Sequence, residues 1–310
     1  MPITSADIPS ALLTTMRVEF LKALDDFPGP QDWKKFTMEV PSTTDTETYA
    51  WLGQLPNLRE FVGERVVHDM TESKKTLQNK TWEMTIGVKR SAWEDDKVGM
   101  IQMKVQGMAA AYQEWLNGEA FKCLAYGKLT DATNPYGEAF DDEAFFSNSH
   151  VMGANTIDNL ELGGGAVSAA TLQTAINLMR AFKGHGDRYL NVNPTLLCVG
   201  PKIEFTANDL LTPAPGMTTA GVTNRLQLIV SPWLGNDALA GGGNASNWIL
   251  VDGSKPFRPI IYQRRTELEF TSLTQNSDIG FMRDEWLFGV RVRCAFGYGA
   301  YWLAAHETEA

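Results

Sequence analysis

The residues best suited to chemistry fall into two acidic sets. Glu94, Asp95 and Asp96 stand together in the stretch WEMTIGVKRSAWEDDKVG, residues 82–99, and Asp141, Asp142 and Glu143 precede His150. Neighbouring carboxylates can divide general acid and general base work when their surroundings push their pKa values apart. A hydrolase built on Asp141, Asp142 and His150 is therefore one reading. Against it, consecutive acids on a helix point in different directions, and acids in a first helical turn already have a structural role. Ser91 and Glu94 have the S-x-x-E spacing of a capping box, and Asp95 and Asp96 would face the positive end of the helix dipole.

The remaining candidates are weaker. His68, His150, His185 and His306 are isolated, without the spacing of a metal pair, and read as surface or loop histidines. Cys123, Cys198 and Cys294 are far apart and form no CxxC, so they read as buried free thiols in a reducing compartment. No nucleophile elbow, Walker-type loop or dinucleotide fingerprint is present, and the glycine triplets at 163–165 and 241–243 sit in polar loops. Arg264 and Arg265 lie on a predicted strand and face opposite ways, which suits a surface or intersubunit salt bridge better than phosphate binding. The expectation is no catalytic, cofactor-binding or metal residue.

The elements that would position these residues have a distinctive order. Leu12, Leu13, Met16, Phe20, Leu21 and Leu24 give an amphipathic helix over 9–25, followed by a Pro/Gly break and a polar extended stretch to Tyr49. Such an opening buries little by itself and reads as an arm that needs a neighbour. Residues 58–90 read as a long hairpin. Phe61, Val62, Val66, Val67 and Met70 go out, the polar run TESKKTLQNK forms the tip, and the alternating Trp82–Val88 run returns. A lone two-stranded ribbon is marginal in water, so it should dock on another surface. A long helix then runs from about Asp96 to Tyr126, with a possible break at Gly99 and a stripe through Val98, Ile101, Val105, Met108, Tyr112 and Trp115.

A loop over 134–150 and a second helix near 168–183 follow. PTLLCVG, LQLIV, NWILVDG and PFRPIIYQRR read as strands, PKIEFTANDLL as a helix, and 212–224 and 235–247 as loops. The closing strand puts Trp286, Phe288, Val290, Val292, Cys294, Phe296 and Tyr298 on one face and Arg291 and Arg293 on the other.

Composition bounds the function. The 310 residues are 44% hydrophobic and 21% charged, which describes a folded protein with ample core. A net charge of −10 disfavours a protein that grips nucleic acid, but leaves room for one that encloses it. The N-terminus lacks the pattern of a signal peptide, and no stretch approaches a membrane span.

Several motifs in order resemble the major head (capsid) proteins of Mu-type tailed phages and prophages. They are TYAWLGQLPNLREFVGERVV, NKTWEMTIGVKRSAWEDDKVG, EAFFSNSH, KPFRPIIYQRR and FGVRVRCAFGYGAYWLA, and together they run nearly the length of the chain. One departure is Val151 after His150, where the family commonly has proline. The resemblance implies an α+β fold of the Hong Kong 97 type. It would have an N-terminal arm (1–57), an extended loop (58–90), a peripheral domain on the spine helix (91–185), an axial domain (186–280) and a return strand (281–310).

The implied function is self-assembly into an icosahedral shell around a double-stranded DNA genome. The virion is its place, after assembly in the bacterial cytoplasm. Its partners would be itself in hexamers and pentamers, a separate scaffolding protein, a portal and a decoration protein, with no membrane. Assembly-contact candidates are Trp51, Phe61, Lys74, Lys75, Trp82, Arg264 and Arg265. An encapsulin-like nanocompartment shell is the rival of the same fold, distinguished by a cargo enzyme in place of portal and packaging genes. Some capsid relatives join chains by Lys–Asn crosslinks, but Lys74, Lys75 and Lys80 are ordinary for a polar ribbon. Assembled shells boiled in denaturing detergent should therefore run as a single monomer band; a ladder would reveal crosslinking.

Overall fold

The computed structural model describes residues 7–26, 29–52, 72–95, 99–130, 133–163, 165–211, 226–235, 246–273 and 282–307. Its organising element is β11 (Glu285–Tyr298), on which all seven residues of the alternating apolar set are buried. A strand with one face buried along its whole length needs neighbours on both edges and a cover on that face. β10 (Ile260–Leu273) and β4 (Lys80–Lys89) flank it antiparallel, and β1 (Thr37–Pro41) adds to β10 in parallel. The sheet order is β1-β10-β11-β4.

The cover is helical. The spine helix α3 (Met100–Ala125) has 26 residues, so it runs about 39 Å at 1.5 Å per residue. α1 (Asp7–Asp26) lies against its first half. Met16, Phe20 and Ala23 of α1 join Ile101, Val105 and Met108 of α3 over Val88, Trp286 and Phe288 of the sheet. Phe20 stacks on Phe270 at 5.0 Å. The arm's helix thus finds its partner within its own chain, contrary to the expectation that it needs a neighbour. Residues at spacings of four and three give it one burying face, and α3 and the sheet supply the groove.

The second half of α3 enters a larger core with Trp33, Phe36, Phe145 and Phe146 and a second sheet. That sheet has the order β12-β9-β7-β8, from β7 (Leu196–Val199), β8 (Gln227–Val230), β9 (Trp248–Val251) and β12 (Ala304–Glu307). α4 (Ala169–Arg180) packs there through Leu172, Ala175, Ile176 and Met179. Its cap is reciprocal: Ser168 Oγ accepts from Thr171 N, and Thr171 Oγ1 accepts from Ser168 N. α5 (Glu204–Leu211) follows β7. At the end of α3, an added Cβ on Gly127 would come within 2.6 Å of Phe146 Cδ2, so glycine is what lets that ring seat.

Two local expectations are corrected. A short helix, α2 (Arg90–Glu94), begins directly where β4 ends, so Ser91 lies inside it and cannot be its N-cap. The β4–β11 pairing runs to Lys89↔Glu285 and Arg90 N donates to Asp284 O, which fixes that start. Glu94 therefore closes a helix and does not open one. α3 begins afresh after Gly99 in the left-handed region (φ 69°), with no side-chain cap.

The hairpin is also paired differently. ESKKTLQ is no tip: β3 (Glu72–Gln78) pairs antiparallel with β2 (Thr46–Leu52), from Thr46↔Gln78 to Leu52↔Glu72. The Trp82–Val88 run belongs to β4 and the main sheet. The proposed outgoing residues Phe61, Val62, Val66, Val67 and Met70 lie outside the described residues.

Phe288 is fully buried where α1, α3 and the sheet meet. Phe288→Ala should cost about 3–5 kcal/mol in denaturant unfolding, the usual range for a large aromatic removed from a core.

Candidate functional site

The residues that could do chemistry come together only in part. His150, at the start of β5 (His150–Met152), is fully buried. Its Nδ1 lies 2.7 Å from Asp141 Oδ2, its Nε2 3.2 Å from Phe145 O, and its ring stacks on Tyr301 at 3.8 Å. Asp142 is exposed with φ 61°, and Glu143 lies near Ser147, so the acidic set does not converge on the imidazole. With both ring nitrogens engaged and no exposed edge, His150 holds a loop in place.

His306 is buried on β12, and burial pushes its pKa down to about 3, so it stays neutral. The reading of these two histidines as surface or loop residues is therefore overturned: both are buried, His150 stacked on Tyr301 and His306 on the second sheet beside Phe146. His185 is exposed, and His68 lies outside the described residues. Among the described residues no cluster could hold a metal, and the three cysteines are buried and free. Burial pushes the Cys198 thiol up to about 12, and that of Cys123 also upward, leaving little thiolate at neutral pH.

The feature without an evident purpose inside the chain is the β2–β3 ribbon. Among the described residues it is a sheet of two strands. Thr48, Lys74, Thr76 and Gln78 are exposed along it. Its base, by contrast, is built with care. Tyr49 Oη donates to Gln263 Oε1 at 2.8 Å, and Gln263 Nε2 donates to Asn79 Oδ1 at 2.8 Å. Asn79 Nδ2 in turn donates to Ser42 Oγ and to Thr44 O, both at 2.9 Å. Gln263 and Asn79 are buried, and such groups stay in place only when their hydrogen bonds are met.

Beside this network the Glu47 carboxylate accepts from the backbone N–H groups of Thr43 and Thr44 and from Ser42 Oγ. Those bonds hold its pKa down at about 2. Arg293 Nη2 meets Asp45 Oδ1 at 2.7 Å. Leu77, the one apolar residue in the polar run, is buried against Gly297, where a Cβ would overlap its methyls.

The assembly-contact candidates distribute around this base. Trp51 stands opposite Ser73 on the ribbon and Lys74 opposite Ala50. Lys75 and Trp82 line a cleft of about 270 Å³ that also takes in Glu119, Pro135 and Tyr136. Trp82 packs on Trp115 at 5.0 Å, and its buried Nε1 has no acceptor among the described residues. Arg264 makes a surface pair with Glu39 at 2.8 Å, and Arg265 Nη1 donates to Ser42 O at 3.4 Å. Phe61 lies outside the described residues. Sequence reasoning missed Glu47, Asn79, Gln263 and Gly297. Only the glycine, in the apolar run FGYGAYW, gave a local hint.

A long helix under a four-stranded sheet, a second sheet and a projecting ribbon are the architecture of phage shells. The solved procapsid of bacteriophage JBD30 matches with a TM-score of 0.59 and 28% identity, covering 99% of this chain and 77% of that one. The Cyanophage Pam1 capsid shares the fold at 11% identity, with a TM-score of 0.55 over 91% of this chain and 88% of that one. The fold is thus that of the Hong Kong 97-type capsid proteins.

Sequence narrows this further. The chain belongs to the Mu-like prophage major head subunit gpT family, whose pattern matches residues 10–164, 162–234 and 236–310. The major capsid protein of Escherichia phage Mu is 27% identical over 305 residues, 98% of this chain and 74% of that protein. It is a major capsid protein of a tailed phage, forming the head shell.

Because Leu77 seats only against a glycine, Gly297→Ala should loosen the ribbon from its base. Limited proteolysis should then cleave faster within residues 46–78, while the cores, which Gly297 does not pack, keep their melting temperature within a few degrees.

Proposed function

We propose that each copy builds the shell by laying its β2–β3 ribbon on a neighbour, and that the finished shell is icosahedral and encloses double-stranded DNA. The observation that carries this reading is the contrast along the ribbon. Its base is fixed by buried hydrogen bonds to β10, yet its strands extend from that base as an isolated pair. Among the described residues no third strand supports it, and an isolated pair of strands is marginal in water, which favours support from a neighbouring subunit. Seven residue pairs at about 3.3 Å each give a reach of roughly 23 Å, enough to cross onto an adjoining subunit.

In this reading residues 1–57 and 58–90 serve as arm and extended loop, 91–185 as the peripheral domain, 186–280 as the axial domain and 281–310 as the return strand. The loops at 212–224 and 235–247 meet around hexamer and pentamer centres; most of their residues lie outside the described ones. Trp51, Lys74, Lys75 and Trp82 make the ribbon contacts, and Arg264 and Arg265 support its base. The chain is not an enzyme, in keeping with the sealed surroundings of His150. A net charge of −10 suits an inner wall to which packed DNA does not adhere. A scaffolding protein directs shell size, a portal occupies one vertex, and assembly takes place in the host cytoplasm.

Negative-stain electron microscopy of the chain overproduced alone should show shells, tubes or hexamer-like rings. Uniform monomers at every concentration, with no larger species on a gradient, would overturn self-assembly through the ribbon.

A further inference from the structure

Asn117 and Gly118 are poor residues for the middle of a long helix. Glycine in particular loses backbone freedom there that alanine would not. Gly118 is nevertheless buried well inside α3. A Cβ at this position would meet the Trp233 indole, at 3.0 Å from Nε1 and 3.1 Å from Cε2, so the glycine is what lets that ring lie so close to the helix. One turn further on, Lys122 covers the same ring, with its Nζ 4.5 Å from the centroid. Lys122 is itself held. Glu119 Oε1 accepts from its Nζ at 2.8 Å, and Glu119 Oε2 accepts from Tyr136 Oη at 2.9 Å. Glu119 is buried, so its carboxylate needs both partners. The spine helix thus carries a slot for one indole.

The ring comes from an equally constrained piece of chain. Ser231 N donates to Val199 O, which extends the β7–β8 pairing, and Leu234 N donates back to Ser231 O. Pro232 stiffens the backbone of that turn, and Leu234 is buried at its far end. Among the described residues β8 is an edge of the second sheet, and α5 packs beside it. α3 runs close along β10 and β11 of the main sheet, but among the described residues it comes as near to no strand of the second. Trp233 is therefore a bridge from the spine helix to the outer edge of that sheet.

The bridge has a telling place in the chain. Residues 226–234 lie between the loops 212–224 and 235–247, which the reading above puts at hexamer and pentamer centres. In a closed shell, the angle at which copies meet follows from how each copy's contact surfaces are oriented to one another. We infer that Trp233, seated against Gly118 and under Lys122, is a positioning residue for assembly: it sets the direction of those loops relative to the spine helix, and so the curvature of the shell. This inference rests on the self-assembly reading and adds to it a determinant of curvature inside the subunit.

Two variants test it. Trp233→Ala removes the ring, and Gly118→Leu fills the slot with a good helix former. In the unassembled subunit, hydrogen–deuterium exchange over residues 226–235 should quicken at least tenfold in both, with β9 and β12 unchanged. Particles assembled from either purified variant should differ from wild type in mean diameter, or open into tubes, in electron micrographs. Trp233→Phe, which keeps a ring under Lys122, should restore both the exchange rate and the diameter. Unchanged exchange over 226–235 would overturn the bridge. Faster exchange with particles of wild-type diameter and spread would overturn its role in curvature, as would variants that form no particle where wild type does, since the ring would then be needed for contact itself. A wild-type chain that forms no particle at any concentration would overturn the self-assembly reading and the role in curvature with it, while the exchange rates still decide the bridge.

Discussion

Everything in this subunit leans on one requirement: the inner face of β11 has to be kept dry. Seven alternate side chains, from Trp286 to Tyr298, are buried over its length. At about 25 cal/mol per Å² of apolar surface, burying that face is a large gain. That face sets the length of the helix that covers it, and α3 is long because the strand is long. It also explains why α1 folds back along α3: the first half of the sheet would otherwise present Val88, Phe288 and Val290 to water. The two edges of β11 recruit β10 and β4, and β10 brings β1 and the ribbon base with it.

This dependence explains which parts of the fold were legible in the sequence. β11 and α3 are read correctly because each shows its own period, two for the strand and a three-four alternation for the helix. α4 was equally plain, with its helical stripe behind Ser168. The ribbon was misread because its strands lack such a period. TESKKTLQ carries one apolar residue, and β3 is a strand only because β2 and the buried amides beneath it make it one. The WEDD turn failed for a related reason. S-x-x-E fits a helix start as well as a helix interior, and the choice was made by the pairing of Lys89 with Glu285 far along the chain.

The candidate contact residues and those of the ribbon base divide along the same line. Trp82 and Lys75 stood out by type and do line a cleft, whereas Asn79 and Gln263 are ordinary amides whose meaning lies in their meeting across 184 residues. No local pattern announces such a pair. Asp141 and His150 show the converse hazard. They do meet, at the distance expected of an acid–base pair, yet the imidazole is sealed between Tyr301 and a backbone carbonyl. Proximity of reactive groups is chemistry only where a substrate can arrive.

The ribbon base also imposes an order of events on synthesis. Tyr49 reaches Gln263 across 214 residues, Asp45 reaches Arg293 across 248, and Leu77 waits for Gly297. Contacts of such separation form last, after the intervening chain has collapsed. While a ribosome is still making the first two thirds of the protein, the ribbon has nothing to stand on. It becomes rigid only when β10 and β11 have emerged, almost at the end of translation. The ribbon's fixed geometry thus arrives together with the completed subunit.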